Sequence, residues 1–149
     1  MLTAKAKYGL KAMAHLAGMP QGKPALIADI AARHGIPKKF LDAILNELRQ
    51  AKFLTSKPGR GGGYMLARPS DQIIVGDIIR TLDGPLAAVP CVSRNFYSRC
   101  QDCVSEDECK VRLLMLEARE ALAQVLDKRT LAEMERFGRN PMDEFVYEI

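Results

Sequence analysis

The 149-residue sequence contains no apolar run approaching the eighteen or so residues that a bilayer-spanning helix needs, which argues against a membrane-spanning protein. It also lacks the separate basic and apolar regions of an export signal. In MLTAKAKYGLKAMAHLAG the two kinds of residue interleave at helical spacing, so the start reads as a folded helix. A soluble, cytoplasmic protein is expected, in which thiols stay reduced and structural disulfides are disfavoured. No Gly-Lys-Ser/Thr loop leads into a helix, and no carboxylate pair or nucleophile–base arrangement stands out, so nothing points to an enzyme. Cysteine is absent from the first ninety positions. All four thiols fall within CVSRNFYSRCQDCVSEDEC, Cys91 to Cys109.

Charge is unevenly placed. Residues 1–90 carry 13 Lys and Arg against 6 Asp and Glu, a net of +7, whereas residues 91–149 carry 9 against 12, a net of −3. A basic first part joined to a mildly acidic second part suggests a polyanion-binding module with an appendage.

Apolar residues at Ala6, Leu10, Met13 and Leu16 or Ala17 predict a helix that Gly18, Pro20 and Gly22 end. A second short helix is expected in PALIADIAARHG, with Gly35 as its stop. A third is expected in IPKKFLDAILNELRQAKF, with Pro37 at its first position and Phe40, Leu41, Ile44, Leu45 and Leu48 as its buried stripe. Two short helices around a Gly-containing turn read as helix-turn-helix. The open face of the second carries Lys38, Lys39, Asp42 and Asn46, suited to phosphates and base edges in a major groove. In FLTSKPGRGGGYMLARP, strand-like residues flank four glycines in five positions, which predicts a hairpin with Arg60 at its tip and Tyr64 on its second strand. A hairpin directly after a helix-turn-helix is a wing, and an arginine at its tip suits a narrow minor groove. QIIVGDIIRTLDGP then predicts a short helix, with Ile74, Ile78 and Leu82 packing on the wing. Ser105 followed by Glu108 reads as a capping box, so a long helix of about 22 residues, roughly 33 Å, is expected to start near Glu106. Its apolar band, broader than packing on a small domain requires, predicts a homodimer interface. A last short helix is expected over Thr130–Arg136.

The cysteines, spaced C-x8-C-x2-C-x5-C, admit several chemistries. Thiolates are soft ligands for zinc or an iron–sulfur cluster, but a closed zinc site usually draws on two Cys-x2–4-Cys pairs and this loop has one. A thiol switch joining Cys100 to Cys103 or to Cys91 is a third reading, and inert thiols a fourth. A thiol–disulfide oxidoreductase would place Cys-x-x-Cys in a βαβ pattern, which is missing.

The order of these elements resembles the Rrf2-type winged-helix transcription regulators, the family of the iron–sulfur regulator IscR and the nitric-oxide sensor NsrR. The resemblance covers roughly residues 1–130. It rests on KAKYGLKAMAHLA, IADIAARHGIPKKFLDAILNELRQAKFLTS, GRGGGYMLARP, IVGDIIRTLDG and the cysteine loop ahead of a long helix. It implies a mainly α fold with a small β-wing and a homodimer crossed at the long helices. It also implies binding to a palindromic stretch of double-stranded DNA, with no membrane partner. The expected parts are a winged helix-turn-helix DNA-binding domain over 1–84, a cysteine-rich sensor loop over 85–109, a dimerisation region over 110–136, and a tail over 137–149 expected to be partly disordered. The family commonly holds its cluster through three cysteines, the last two with five residues between them. Cys91, Cys103 and Cys109 match that pattern and Cys100 is an addition, so all four are candidate ligands of a two-iron or four-iron cluster. Arg112 stands where a histidine would resemble IscR, and His15 and His34 are expected to be surface or turn residues. The wing carries Pro58 where Arg is frequent. The resulting expectation is a regulator sensing redox, nitric oxide or iron status. Alternatives are a cluster-free thiol switch and a regulator that mainly binds another protein, with weak DNA affinity.

Overall fold

A computed structural model describes residues 2–139. The chain is mainly helical, with one two-stranded antiparallel sheet. Helix α1 (Ala4–Ala17) is capped by Thr3, whose hydroxyl accepts from the Ala6 N–H at 3.1 Å. The Thr3 N–H and hydroxyl also donate to Asp83, the last residue of α4 (Val75–Asp83), which ties the start of the chain to that helix. Helix α2 (Ile27–His34) stops at Gly35, where φ is +64° and ψ +36°, the left-handed conformation that favours glycine. Helix α3 (Lys38–Gln50) begins just after Pro37, which caps the helix from outside it instead of occupying its first turn.

The core forms where these helices meet. Leu41, Ile44, Leu45 and Leu48 of α3 close against Ala6, Met13 and Leu16 of α1 and Ile30 of α2. Fully burying each large aliphatic side chain is worth about 1.5–3 kcal/mol. Phe40, expected in the buried stripe, is exposed instead and meets Tyr8 edge-on with ring centroids 5.7 Å apart. Helix α4 packs mainly on α1 and α3, not on the wing as its apolar pattern suggested.

The wing is strand β1 (Leu54–Lys57) paired with β2 (Gly63–Leu66), in a register running from Leu54 opposite Leu66 to Lys57 opposite Gly63. It is anchored to the turn before α2. The Tyr64 N–H donates to the Ala25 carbonyl at 2.9 Å, and the Ala25 N–H donates back at 2.8 Å. This close approach requires Gly63, which has φ +139° and where a Cβ would stand 2.1 Å from the Ala25 carbonyl oxygen.

After α4 the chain runs through a single 3-10 turn at Pro90–Val92 and the cysteine loop into α5 (Lys110–Leu126). Helix α5 starts at Lys110, not near Glu106, and has 17 residues, about 25 Å. The local reason is that the Cys109 sulfur, not Ser105, caps it, accepting from the Arg112 N–H at 3.4 Å. Residues 106–108 form a turn that Arg112 braces by donating to the Glu106 carbonyl. A capping box does occur at Thr130 and Glu133, the start of α6 (Leu131–Glu135). There the chain rejoins the head. The Leu131 N–H donates to the Ile73 carbonyl at 2.8 Å, and the Val75 N–H to the Arg129 carbonyl at 3.0 Å. Residues 110–136 thus divide: α6 packs on α1 with Leu131 fully buried, while α5 has no buried residue at all. Of the tail expected over 137–149, residues 140–149 lie outside the described residues.

Candidate nucleic-acid interface and cysteine loop

The first surface is built by α3 and the wing. Lys38, Lys39 and Asp42 are exposed, and Asn46 is half-buried. Lys39, Asp42 and Asn46 recur at helical spacing on one face of α3. Asn46 is not free: its Oδ1 accepts from Arg49 Nη2 at 2.6 Å. A groove of about 350 Å³ separates the first turn of α3 from the wing, with Lys38, Lys57, Pro58 and Tyr64 among its walls. It joins Lys38 to Tyr64 and adds Lys57, which sequence reasoning missed although a lysine ending the first wing strand was a visible signal. Arg60 stands apart at the exposed tip, between Gly59 and Gly61, both at positive φ. Basic side chains with an open amide-bearing helix face form a surface suited to phosphates and base edges.

The second site is the cysteine loop. Cys91 is buried in the 3-10 turn, Cys100 is exposed, and Cys103 and Cys109 are partly covered. The Cys103 N–H donates to the Cys100 carbonyl at 3.2 Å, folding the Cys-x-x-Cys into a turn. Cys100 faces Cys91: its thiol is pushed up first by desolvation, then by the charge of Cys91 and a hydrogen bond to it, with Asp102 and Cys103 adding to the effect. Cys109 sits at the N-terminus of α5, where its sulfur accepts from the Arg112 N–H. Among the described residues no three His, Cys, Asp or Glu side chains converge on a position for a single metal ion. Cys91 and Cys103 thus lie closest to Cys100, while Cys109 caps α5.

The loop is tied to α5 by arginines. Arg94 donates to Glu120 at 3.0 Å, and Arg119 reaches both the Val92 carbonyl and Glu120. Two arginines on the Glu120 carboxylate, by hydrogen bond first and charge second, hold it below the usual carboxylate range. Helix α4 is joined to the end of α5 by Arg80 and Asp127 at 2.7 Å. The links of Arg94 to Glu120, Arg119 to Val92 and Arg80 to Asp127 had no sequence signal, because the partners are 26 to 47 residues apart.

Comparison with known proteins decides the family. The model of a family described as iron-dependent transcriptional regulators, Rrf2, matches residues 2–136. The chain belongs to the Rrf2 family. A Rhodobacter capsulatus protein named as an rrf2-like HTH-type transcriptional regulator is 39% identical over 146 residues, 95% of each chain. A Mycobacterium tuberculosis HTH-type regulator is 46% identical over 88 residues, 59% of this chain and 55% of that one. Among solved structures, CymR, the global cysteine regulator of Bacillus subtilis, superposes with a TM-score of 0.76 at 30% identity, covering 92% of this chain and 97% of its own. IscR of T. potens gives 0.71 at 31% identity, over 90% and 85% of the two chains. The oxidised form of Staphylococcus aureus CymR gives 0.71 at 28%, over 92% and 97%. The Rrf2 chain described here is accordingly a winged-helix transcription regulator and not an enzyme. No described helix is long and apolar enough to cross a membrane.

Proposed function

We propose that the protein is a homodimer that binds a palindromic operator through two winged heads and reads redox, nitric oxide or iron status through an iron–sulfur cluster in the Cys91–Cys109 loop. The observation that carries this reading is the placement of the loop. It hangs between α4, the helix that follows the wing, and an α5 whose apolar face is turned outward, and its final cysteine caps α5. Cys91, Cys100, Cys103 and Cys109 would hold the cluster, which supplies an oxidisable, nitric-oxide-sensitive centre when bound. The protein's own part is mechanical. Arg94, Glu120 and Arg119 clamp the loop to α5, so the order of the loop sets the angle between head and dimer helix. Lys38, Lys39, Asp42, Asn46, Arg60 and Tyr64 make the operator contacts. Operator affinity then responds only as far as the two loop states differ in it. A cytoplasmic location follows from this role.

The test is purification without oxygen, a visible spectrum, and iron, zinc and acid-labile sulfide analysis of the wild type and Cys103→Ser. Absorbance near about 400 nm with iron and sulfide, lost in the variant along with the redox response of operator binding, is the expected result. Operator affinity that still tracks redox state in Cys103→Ser refutes the coupling. A colourless protein that resists reconstitution favours a thiol switch. The Cys91–Cys100 contact supports that second reading, as does the existence of an oxidised form of the similar CymR. A steep negative salt slope of operator binding separates both from a regulator that chiefly binds protein.

A further inference from the structure

A cavity of about 400 Å³ opens between α4, the loop after it and α5, beside the arginines that tie the cysteine loop to α5, though neither the expected operator residues nor the cysteines line it. Its charges are sorted by end. At one end Arg94 and Arg119 share a single carboxylate, Glu120, which leaves one positive charge in excess. At the other, Arg80 lies between Asp77 at 3.4 Å and Asp127 at 2.7 Å, which leaves one negative charge in excess. Arg119 and Asp127 are eight residues apart on α5, about 12 Å along its axis, so the two ends are well separated. Ala123 lies between them along the helix, and Leu86 and Phe96 add apolar side chains to a lining that also holds Ser93 and Asn95.

Each end has unused hydrogen-bonding capacity. Arg94 is exposed and meets Glu120 through Nη2, which leaves donors at the positive end, whereas Arg119 Nε is buried, has no partner among the described residues and does not reach a ligand. At the negative end Asp127 Oδ1 is also unpartnered, but it is pressed against Gly76, where a Cβ would stand 2.2 Å from it, so it does not serve a ligand. Asp77 does: its side chain is 56% exposed and, among the described residues, makes only the long contact to Arg80.

We propose that this cavity binds a small organic zwitterion, its carboxylate toward Arg94 and Arg119, its ammonium toward Asp77, and an apolar spacer of several bonds along Phe96 and Leu86. An α-amino acid, with both charged groups on one carbon, is too short to reach both ends. The proposal goes beyond the sensing function and does not rest on the cysteines holding a cluster.

Isothermal titration calorimetry of the full-length protein in reducing buffer tests it, with 6-aminohexanoate and diglycine as zwitterions and glycine, hexanoate and hexylamine as controls. Saturable binding of 6-aminohexanoate is expected, with hexanoate and hexylamine each about tenfold weaker, since each forfeits one charge-assisted hydrogen-bonding end. Diglycine binding as tightly assigns short peptides to the site, and weaker diglycine binding assigns aliphatic ω-amino acids. Arg94→Ala should weaken hexanoate and spare hexylamine, and Asp77→Asn should do the reverse. Both positions are exposed, and an unchanged melting temperature checks the fold of each variant. The proposal is overturned by absent binding of both zwitterions, by glycine binding as well as 6-aminohexanoate, by hexanoate alone matching it, or by both variants leaving all affinities unchanged.

Discussion

His15 and His34, on α1 and α2, meet with Nδ1 and Nε2 3.0 Å apart and rings nearly perpendicular. One nitrogen must donate and the other accept, so the contact requires at least one neutral ring. Both are held below the usual histidine value. For His15 desolvation leads, then Arg33, with Asp29 opposing; for His34 desolvation leads, then His15, Lys11 and Arg33. A depressed histidine binds fewer protons folded than unfolded, so its contribution is intact above the unfolded value of 6.5 and is lost as pH falls below it. The melting temperature should therefore drop between about pH 7 and about pH 5, and His34→Gln should flatten that drop. A thermal melt series across this range checks it; an unchanged slope in the variant would exclude the pair as its source. From sequence these histidines read as separate surface or turn residues. Their pairing was hidden because it depends on how two helices cross, which no local pattern carries.

At the scale of elements, the wing was the most legible part, since clustered glycines between strand-like residues have few other uses. Its attachment to Ala25 was not legible, yet that attachment makes Gly63 indispensable. Gly63→Ala should break the Tyr64–Ala25 pairing and destabilise the protein by about 1–3 kcal/mol, with operator affinity falling further than stability alone accounts for. Chemical denaturation alongside operator titration reads both, and a variant of wild-type stability would show that the turn before α2 can yield. The long helix was legible in its periodicity but not in its start. Ser105 and Glu108 have capping-box spacing, and the competing cap at Cys109 won because Arg112 fixes the preceding turn. A cysteine as the cap is outside the usual preference for Ser, Thr, Asp and Asn.

At the scale of the whole molecule, the apolar face of α5 is left exposed among the described residues. Val111, Leu114, Leu122 and Val125 are each at least half exposed. If this face joins two copies, Leu114→Glu with Leu122→Glu should convert a dimer to a monomer in sedimentation at micromolar protein and weaken operator binding by about tenfold or more, because each half-site then binds alone. A double variant that stays dimeric would move the interface elsewhere. The fold class, the order of elements and the cysteine loop could all be read from local patterns. The opposed charges of the α4–α5 cavity could not, since Arg80 and Asp127 are neighbours only after folding.

The pairing of residues 73–75 with 129–131 has one more consequence, in the order of synthesis. Leu131 is fully buried in the same core as Leu10 and Ile78. A ribosome making this chain releases the operator-facing elements first, then the cysteines and α5, and only then the residue that seals the head. The nascent protein therefore exposes its cysteine loop before its DNA-binding core is complete.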